Sequence, residues 1–114
     1  MKKIFAFCNQ KGGVGKTTTA INVAAGISEK RHKILLLDLD PQGNATSGFG
    51  IEKKECALTV YDVLLNNKNV SEAIIKTCYD NIDIVPATTS LSGAEVELVA
   101  EYGREYVLRN KLSD

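Results

Sequence analysis

Several protein classes are excluded by what these 114 residues have little of. There are three cysteines, Cys8, Cys56 and Cys78. They are widely spaced, odd in number and form no CxxC pair, so they read as reduced structural thiols rather than as disulfides or metal ligands. The single histidine, His32, stands in a charged run and reads as a solvated residue with no catalytic task. Net charge is also absent: Lys+Arg 14 balances Asp+Glu 14, so composition predicts neither a nucleic-acid surface nor a membrane surface. Long apolar runs are missing. The N-terminal stretch Ile4-Phe5-Ala6-Phe7-Cys8 ends at Asn9, below the length of a signal-peptide core, and nothing later approaches a bilayer span. The expected location is the cytoplasm. No internal repeat, low-complexity segment or linker interrupts the chain, which leaves one domain as the expectation.

The remainder is an ordinary globular composition, 44% hydrophobic and 25% charged. Lys3–Cys8 reads as a strand, a short apolar run with β-compatible Ile4, Phe5 and Phe7. Residues 9–15 hold three glycines and must be a loop. From Lys16 the period becomes helical, with Ala20, Val23, Ala24 and Ile27 as the buried stripe and Asn22, Ser28 and Glu29 off it. The polar run 29–33 ends this helix at the surface. Ile34-Leu35-Leu36-Leu37 is a continuous apolar run, the signature of a strand buried on both faces of a parallel sheet. Strand, Gly-rich loop, helix and strand make a βαβ unit.

Further along, 41–50 reads as a polar surface loop. Thr59 with Asp62 three residues on is a capping-box pattern, opening a helix with Val60, Val63 and Leu64 inward. Val70–Cys78 reads as a second short helix capped by Ser71. Ile82–Val85 is a third strand, stopped by Pro86. Ser92 and Glu95 suggest another capping box before Val96, Leu98, Val99 and Tyr102. Gly103 breaks that helix, and a last one covers 104–112. The expected fold class is therefore α/β, a three-layer parallel sheet of the P-loop NTPase kind with flanking helices. Tyr61, Tyr79, Tyr102 and Tyr106 fit helix packing better than base stacking.

The chemistry lies in Gln10-Lys11-Gly12-Gly13-Val14-Gly15-Lys16-Thr17-Thr18. Holding a triphosphate requires donors all around it. Glycines let successive backbone N–H groups turn inward as a nest, and the helix starting here adds the positive end of its dipole. Lys16 brings a full charge to the β/γ-phosphates, and the Thr17 hydroxyl is a ligand for Mg²⁺. The pattern departs from GxxxxGK[ST], because Gln10 stands where the first glycine belongs, and a second lysine, Lys11, precedes Gly12-Gly13. The next polar segment, Asp38-Leu39-Asp40-Pro41-Gln42-Gly43-Asn44-Ala45-Thr46-Ser47, follows the second strand. Loops at the carboxyl ends of neighbouring parallel strands converge on the ligand. Asp38 and Asp40 alternate along an extended chain, so one of them faces the phosphates, and Asp40 is the choice, as metal-side and water-orienting carboxylate.

The segments NQKGGVGKTTTAINVA, LLLDLDPQGNATSGFGI, TVYDVL and IVPATTSLSGAEVELV occur in the order and spacing of the ParA/Soj partition ATPases, and the chain resembles that family from Lys3 onward. KGGxGKT is the deviant phosphate loop of this group, with a signature lysine ahead of the glycines. DxDPQGNAT separates the family from its MinD-like, nitrogenase iron-protein and arsenite-pump cousins. The resemblance implies an ATP-hydrolysing switch for chromosome or plasmid partition, with ATP and Mg²⁺ as ligands. It implies that Lys11 reaches the partner's phosphates in an ATP-sandwich homodimer, while Lys16 serves its own nucleotide, Thr17 binds Mg²⁺ and Asp40 organises the attacking water. It also implies non-specific DNA binding on the nucleoid, through positions beyond 114, and a ParB/Spo0J-like partner that stimulates hydrolysis, with no membrane.

Family members are about twice this long, so residues 1–114 are expected to be the N-terminal part of a single ATPase domain. Such a part would have an unpaired strand edge and at most weak phosphate binding. Two alternatives stand beside the partition switch. One is a MinD-like membrane-cycling ATPase, which needs a C-terminal amphipathic helix and is opposed by the DPQGNAT loop. The other is a nucleotide-binding regulator of sporulation or transcription without significant turnover.

Overall fold

Two of the three apolar runs expected as strands pair side by side. In the computed structural model, which describes residues 16–30, 32–99 and 106–112, β1 (Ile34–Leu37) and β3 (Ile82–Val85) are parallel, with Ile34 opposite Ile82 and Leu37 opposite Val85. A short β2 (Ile75–Lys76) adds antiparallel to the other edge of β3, giving the order β1-β3-β2. The strand expected at 3–8 lies outside the described residues.

Alternation along the strands sorts their side chains into two cores. Ile34, Leu36, Ile82 and Ile84 face Ala24, Ile21, Phe49 and Ile51. These include the inner side of α1 (Lys16–Ser28), which packs on β1 and β3. Leu37 and Val85 point the other way, into a cluster with Val60, Val63, Ala73, Ala87, Leu91 and Ala94. That second layer comes from α3 (Val60–Leu65), α4 (Val70–Ala73) and α5 (Ala94–Val99), with α6 (Val107–Leu112) packed on α3. The result is the expected α/β architecture, a mixed rather than purely parallel sheet between helical layers. Leu35 departs from the expectation of burial on both faces: it is 38% exposed, because α3, α4 and α5 cover the Leu37–Val85 end of that face and not its middle.

Other expectations shift locally. The inward stripe of α1 is Ile21, Ala24 and Ser28, while Val23 is 40% exposed. Ser28 tolerates burial because its hydroxyl donates to the Ala25 carbonyl (2.8 Å), and its own carbonyl receives the Asn81 side-chain amide (3.3 Å). The helix expected over 70–78 stops at Ala73. Its N-cap is Asn69, whose N–H donates to the Glu72 carboxylate (2.8 Å), rather than Ser71. The β-branched pair Ile74-Ile75 then extends, and Ile75-Lys76 joins the edge of β3, leaving Cys78 exposed. Ser92 lies inside a 3₁₀ turn (Thr89–Gly93) begun by Thr88 and donates to the Thr89 carbonyl (2.8 Å).

The capping box at α3 forms as expected. The Thr59 N–H donates to Asp62 (2.9 Å), and the Thr59 hydroxyl receives the Tyr61 N–H (3.2 Å). The Val60 N–H donates outward to the Pro86 carbonyl (2.8 Å), tying the start of α3 to the end of β3. No described helix is long and apolar enough to cross a membrane.

Candidate functional site

Because β1 and β3 are parallel, both carry their following loops at the same end of the sheet. The loop after β1 is not the surface loop that its polarity suggests. It folds into a helical turn, α2 (Asn44–Gly48), with Gly43, Ala45, Thr46 and Phe49 buried. Three features force this. Gly43 adopts φ 63°, ψ 37°, and an added Cβ would lie 2.6 Å from the Ala87 carbonyl oxygen and 2.7 Å from Lys53 Cε. Gly48 approaches α1 so closely that a Cβ would be 2.5 Å from Ile21 Cδ1. The third is Thr46, fully buried beneath the loop.

The two aspartates take different tasks. Asp38 is 3% exposed, and its carboxylate accepts the Asp40 N–H (3.1 Å), the Thr46 N–H (2.9 Å) and the Thr46 hydroxyl (2.7 Å). The same hydroxyl oxygen receives the Ala87 N–H (3.0 Å). Several donors satisfy this buried carboxylate, and through them it joins the loops after β1 and β3. Asp40 lies partly in solvent. Its Oδ1 accepts the Gln42 N–H (3.0 Å), forming an Asx turn, and its Oδ2 accepts the Asn44 side-chain amide (2.8 Å). Among the described residues each Asp40 oxygen accepts one hydrogen bond, which leaves a second lone pair on each. Alternation along the chain placed the two carboxylates apart, and the structure separates them in this way. Asp38, read from sequence only as the non-facing neighbour, is the pin of the loop. Its signal in the sequence was the hydroxyl eight residues on, which spacing alone does not reveal.

Of the other expected site residues, Lys16, Thr17 and Thr18 lie in α1, in the segment where the period becomes helical. Lys11, Gly12, Gly13, Val14 and Gly15 lie outside the described residues. The Asp40 loop reaches α1 through the close approach of Gly48 to Ile21. Mg²⁺ suits such a place, since it takes one or two protein oxygens and fills the rest of its shell with water and phosphate. An accessible carboxylate with free lone pairs fits that need. No cluster of three or more His, Cys, Asp or Glu is present among the described residues, so a fully protein-liganded metal has no cage there. Two open clefts lie beside the site, one between Ser47 and Lys54 and one between Lys53–Thr59 and Thr88–Ser90; Asp40 lines neither. His32 is exposed, as expected, and Cys56 and Cys78 are free thiols.

An α/β sheet with an opening helix that follows a Gly-rich lysine loop, and an acidic loop at the carboxyl end of the next strand, defines the P-loop nucleotide-binding class. Comparison agrees: the AAA domain family matches residues 2–114, and the chain belongs to it. Within it, the chain is similar in sequence to the Soj and ParA proteins. It is 50% identical over 112 residues to the sporulation initiation inhibitor protein Soj of Bacillus subtilis, covering 98% of this chain and 44% of that protein. It is 49% identical over 110 residues to the chromosome partitioning protein ParA of Myxococcus xanthus, covering 96% of this chain and 39% of the relative. Among solved structures, a cobyrinic acid a,c-diamide synthase from Mycobacterium smegmatis, with bound ATP analog and magnesium, superposes with TM-score 0.88 at 40% identity. That match covers 93% of this chain and 43% of the synthase. The chain therefore spans less than half the length of these relatives.

Proposed function

We propose that these residues form the N-terminal part of the nucleotide domain of an ATP-hydrolysing switch for chromosome or plasmid partition. Backbone donors of Lys11, Gly12, Gly13, Val14, Gly15, Lys16, Thr17 and Thr18 cradle the phosphates. Lys16 neutralises the β/γ-oxygens of its own nucleotide, and Lys11 reaches the nucleotide of a second subunit in an ATP-sandwich homodimer. Thr17 and Asp40 face Mg²⁺, which supplies charge neutralisation to the phosphates when bound. Asp40 orients the attacking water. The switch then acts with DNA and a ParB/Spo0J-like partner in the cytoplasm.

The observation that carries this proposal is the division between the aspartates. Asp38 spends its oxygens on the loop's own donors and is buried, whereas Asp40 keeps accessible lone pairs at the carboxyl end of β1. Partition is favoured over other ATP-dependent work by the DPQGNAT loop and by the Myxococcus relative's name. A second proposal, a nucleotide-bound regulator with little turnover, takes its support from the Bacillus relative, which is named as an inhibitor of sporulation initiation.

Nucleotide binding and turnover in the full-length protein separate them. Lys16→Ala is expected to abolish Mg²⁺-ATP binding. Asp40→Ala is expected to keep binding and lose hydrolysis by about a hundredfold or more, the size of a lost transition-state electrostatic contact. Partner engagement that is unaltered in Asp40→Ala, with turnover negligible already in the wild type, selects the regulator instead.

A further inference from the structure

Asp40 does not hold itself in place. Its Oδ2 is fixed by the Asn44 side-chain amide at 2.8 Å, and Asn44 is the first residue of α2. Its Oδ1 is fixed by the Gln42 N–H at 3.0 Å. The carbonyl of that same Gln42 receives the Lys53 ammonium, whose Cε lies over Gly43. Lys53 comes from the 3₁₀ turn Lys53–Glu55, separated from the aspartate loop by α2 and the turn after it. Both main-chain groups of Gln42 are therefore engaged, its N–H by Asp40 and its carbonyl by Lys53. The loop leaves no slack on the inner side, because Gly43 lies against the Ala87 carbonyl.

We infer that Asn44 and Lys53 are positioning residues for the Asp40 carboxylate: Asn44 sets its rotamer, and Lys53 straps Gln42, the residue whose N–H holds its second oxygen. This rests on the proposed role of Asp40 in hydrolysis. Two donors engage one lone pair on each oxygen and leave the other pair of each directed outward. An aspartate with χ1 and χ2 fixed in this way meets water or a metal-bound water in one orientation, without reorganising during the reaction. Neither residue needs to touch nucleotide for its loss to slow the chemical step. Asn44 read in the sequence as a residue of the polar loop 41–50.

The test compares Asn44→Ala, Asn44→Asp and Lys53→Met with wild type in the full-length protein. The Asp variant preserves the shape of Asn44 while replacing its donor with a carboxylate beside Asp40. Turnover at saturating Mg²⁺-ATP is expected to fall about tenfold or more in both Asn44 variants and several-fold in Lys53→Met, with nucleotide Kd within about twofold. Lys53→Arg, which keeps a cationic donor, is expected to recover part of the loss. Hydrogen exchange at the Gln42 amide is the second readout, expected to quicken about tenfold in Asn44→Ala and in Lys53→Met as the turn loosens. Unchanged turnover with unchanged Gln42 exchange overturns the inference. So does a loss of kcat matched by an equal loss of nucleotide affinity, since that is what simple unfolding of the loop produces. If the wild-type protein does not hydrolyse ATP, the proposed function fails, and Gln42 exchange alone decides whether the two side chains hold Asp40.

Discussion

The Thr46 hydroxyl donates to a buried carboxylate and accepts from the Ala87 amide, so one oxygen atom joins two loops. Its removal strands both neighbours. Thr46→Val keeps the shape but leaves Asp38 short of a donor and the Ala87 N–H without an acceptor, which is expected to cost about 2–4 kcal/mol in urea unfolding. Thr46→Ser keeps the hydroxyl and is expected to cost about 1 kcal/mol. A similar contrast separates two glycines with positive φ. Gly43→Ala combines the left-handed conformation with a Cβ 2.6 Å from a backbone oxygen, and about 2–4 kcal/mol of destabilisation is expected. Gly50, at φ 75° with nothing within 4 Å of its Cβ position, should cost only about 1 kcal/mol when changed to Ala. Equal midpoints for the two alanine variants would mean that the close approach at Gly43 is relieved by movement of the loop.

Elements with a strong local signal were legible, and those set by distant contacts were not. The β1 and β3 runs and the Thr59–Asp62 capping box depend on period and on neighbours within four residues, and each lies where the sequence placed it. By contrast, α2 has one turn, and its burial comes from Asp38 eight residues back and Ala87 forty-one residues on. The pairing of Ile75-Lys76 with β3 likewise depends on an open strand edge rather than on the residues themselves. The contact between α3 and α5 also escaped the sequence: the Tyr61 hydroxyl donates to the Glu97 carboxylate at 2.6 Å. That hydrogen bond, followed by partial burial and nearby carboxylates, raises the Tyr61 pKa above the ordinary 10.0. Because folding raises the value, the contact's stabilisation is complete below pH 10.0 and is lost as pH climbs through the higher value. Tyrosinate absorbance should show one tyrosine titrating late in wild type and returning toward the others in Glu97→Gln. A wild-type titration with no late step would place the Tyr61 hydroxyl in solvent.

At the scale of the molecule, the sheet separates two cores, and the ends of β1 and β3 bring their loops to one side. The candidate site was legible to the extent that its residues are contiguous in sequence. Lys16-Thr17-Thr18 and Asp40 come from two short segments whose spacing around a helix and a strand is a strong pattern. The devices that hold Asp40 were not legible, since Asn44, Lys53 and Thr46 are common polar residues until the fold sets them against particular atoms. Everything proposed here turns on two aspartates two residues apart having different work. The most direct measurement is ATP turnover, paired with the unfolding midpoint, for Asp38→Ala and Asp40→Ala in the full-length protein. Asp40→Ala is expected to unfold near the wild-type midpoint, to bind Mg²⁺-ATP and to turn over about a hundredfold more slowly. Asp38→Ala is expected to lose about 3–5 kcal/mol of stability, as the donors of its buried carboxylate are left unpaired. An Asp40→Ala protein that hydrolyses ATP at the wild-type rate would contradict the assignment, whatever the fate of Asp38→Ala.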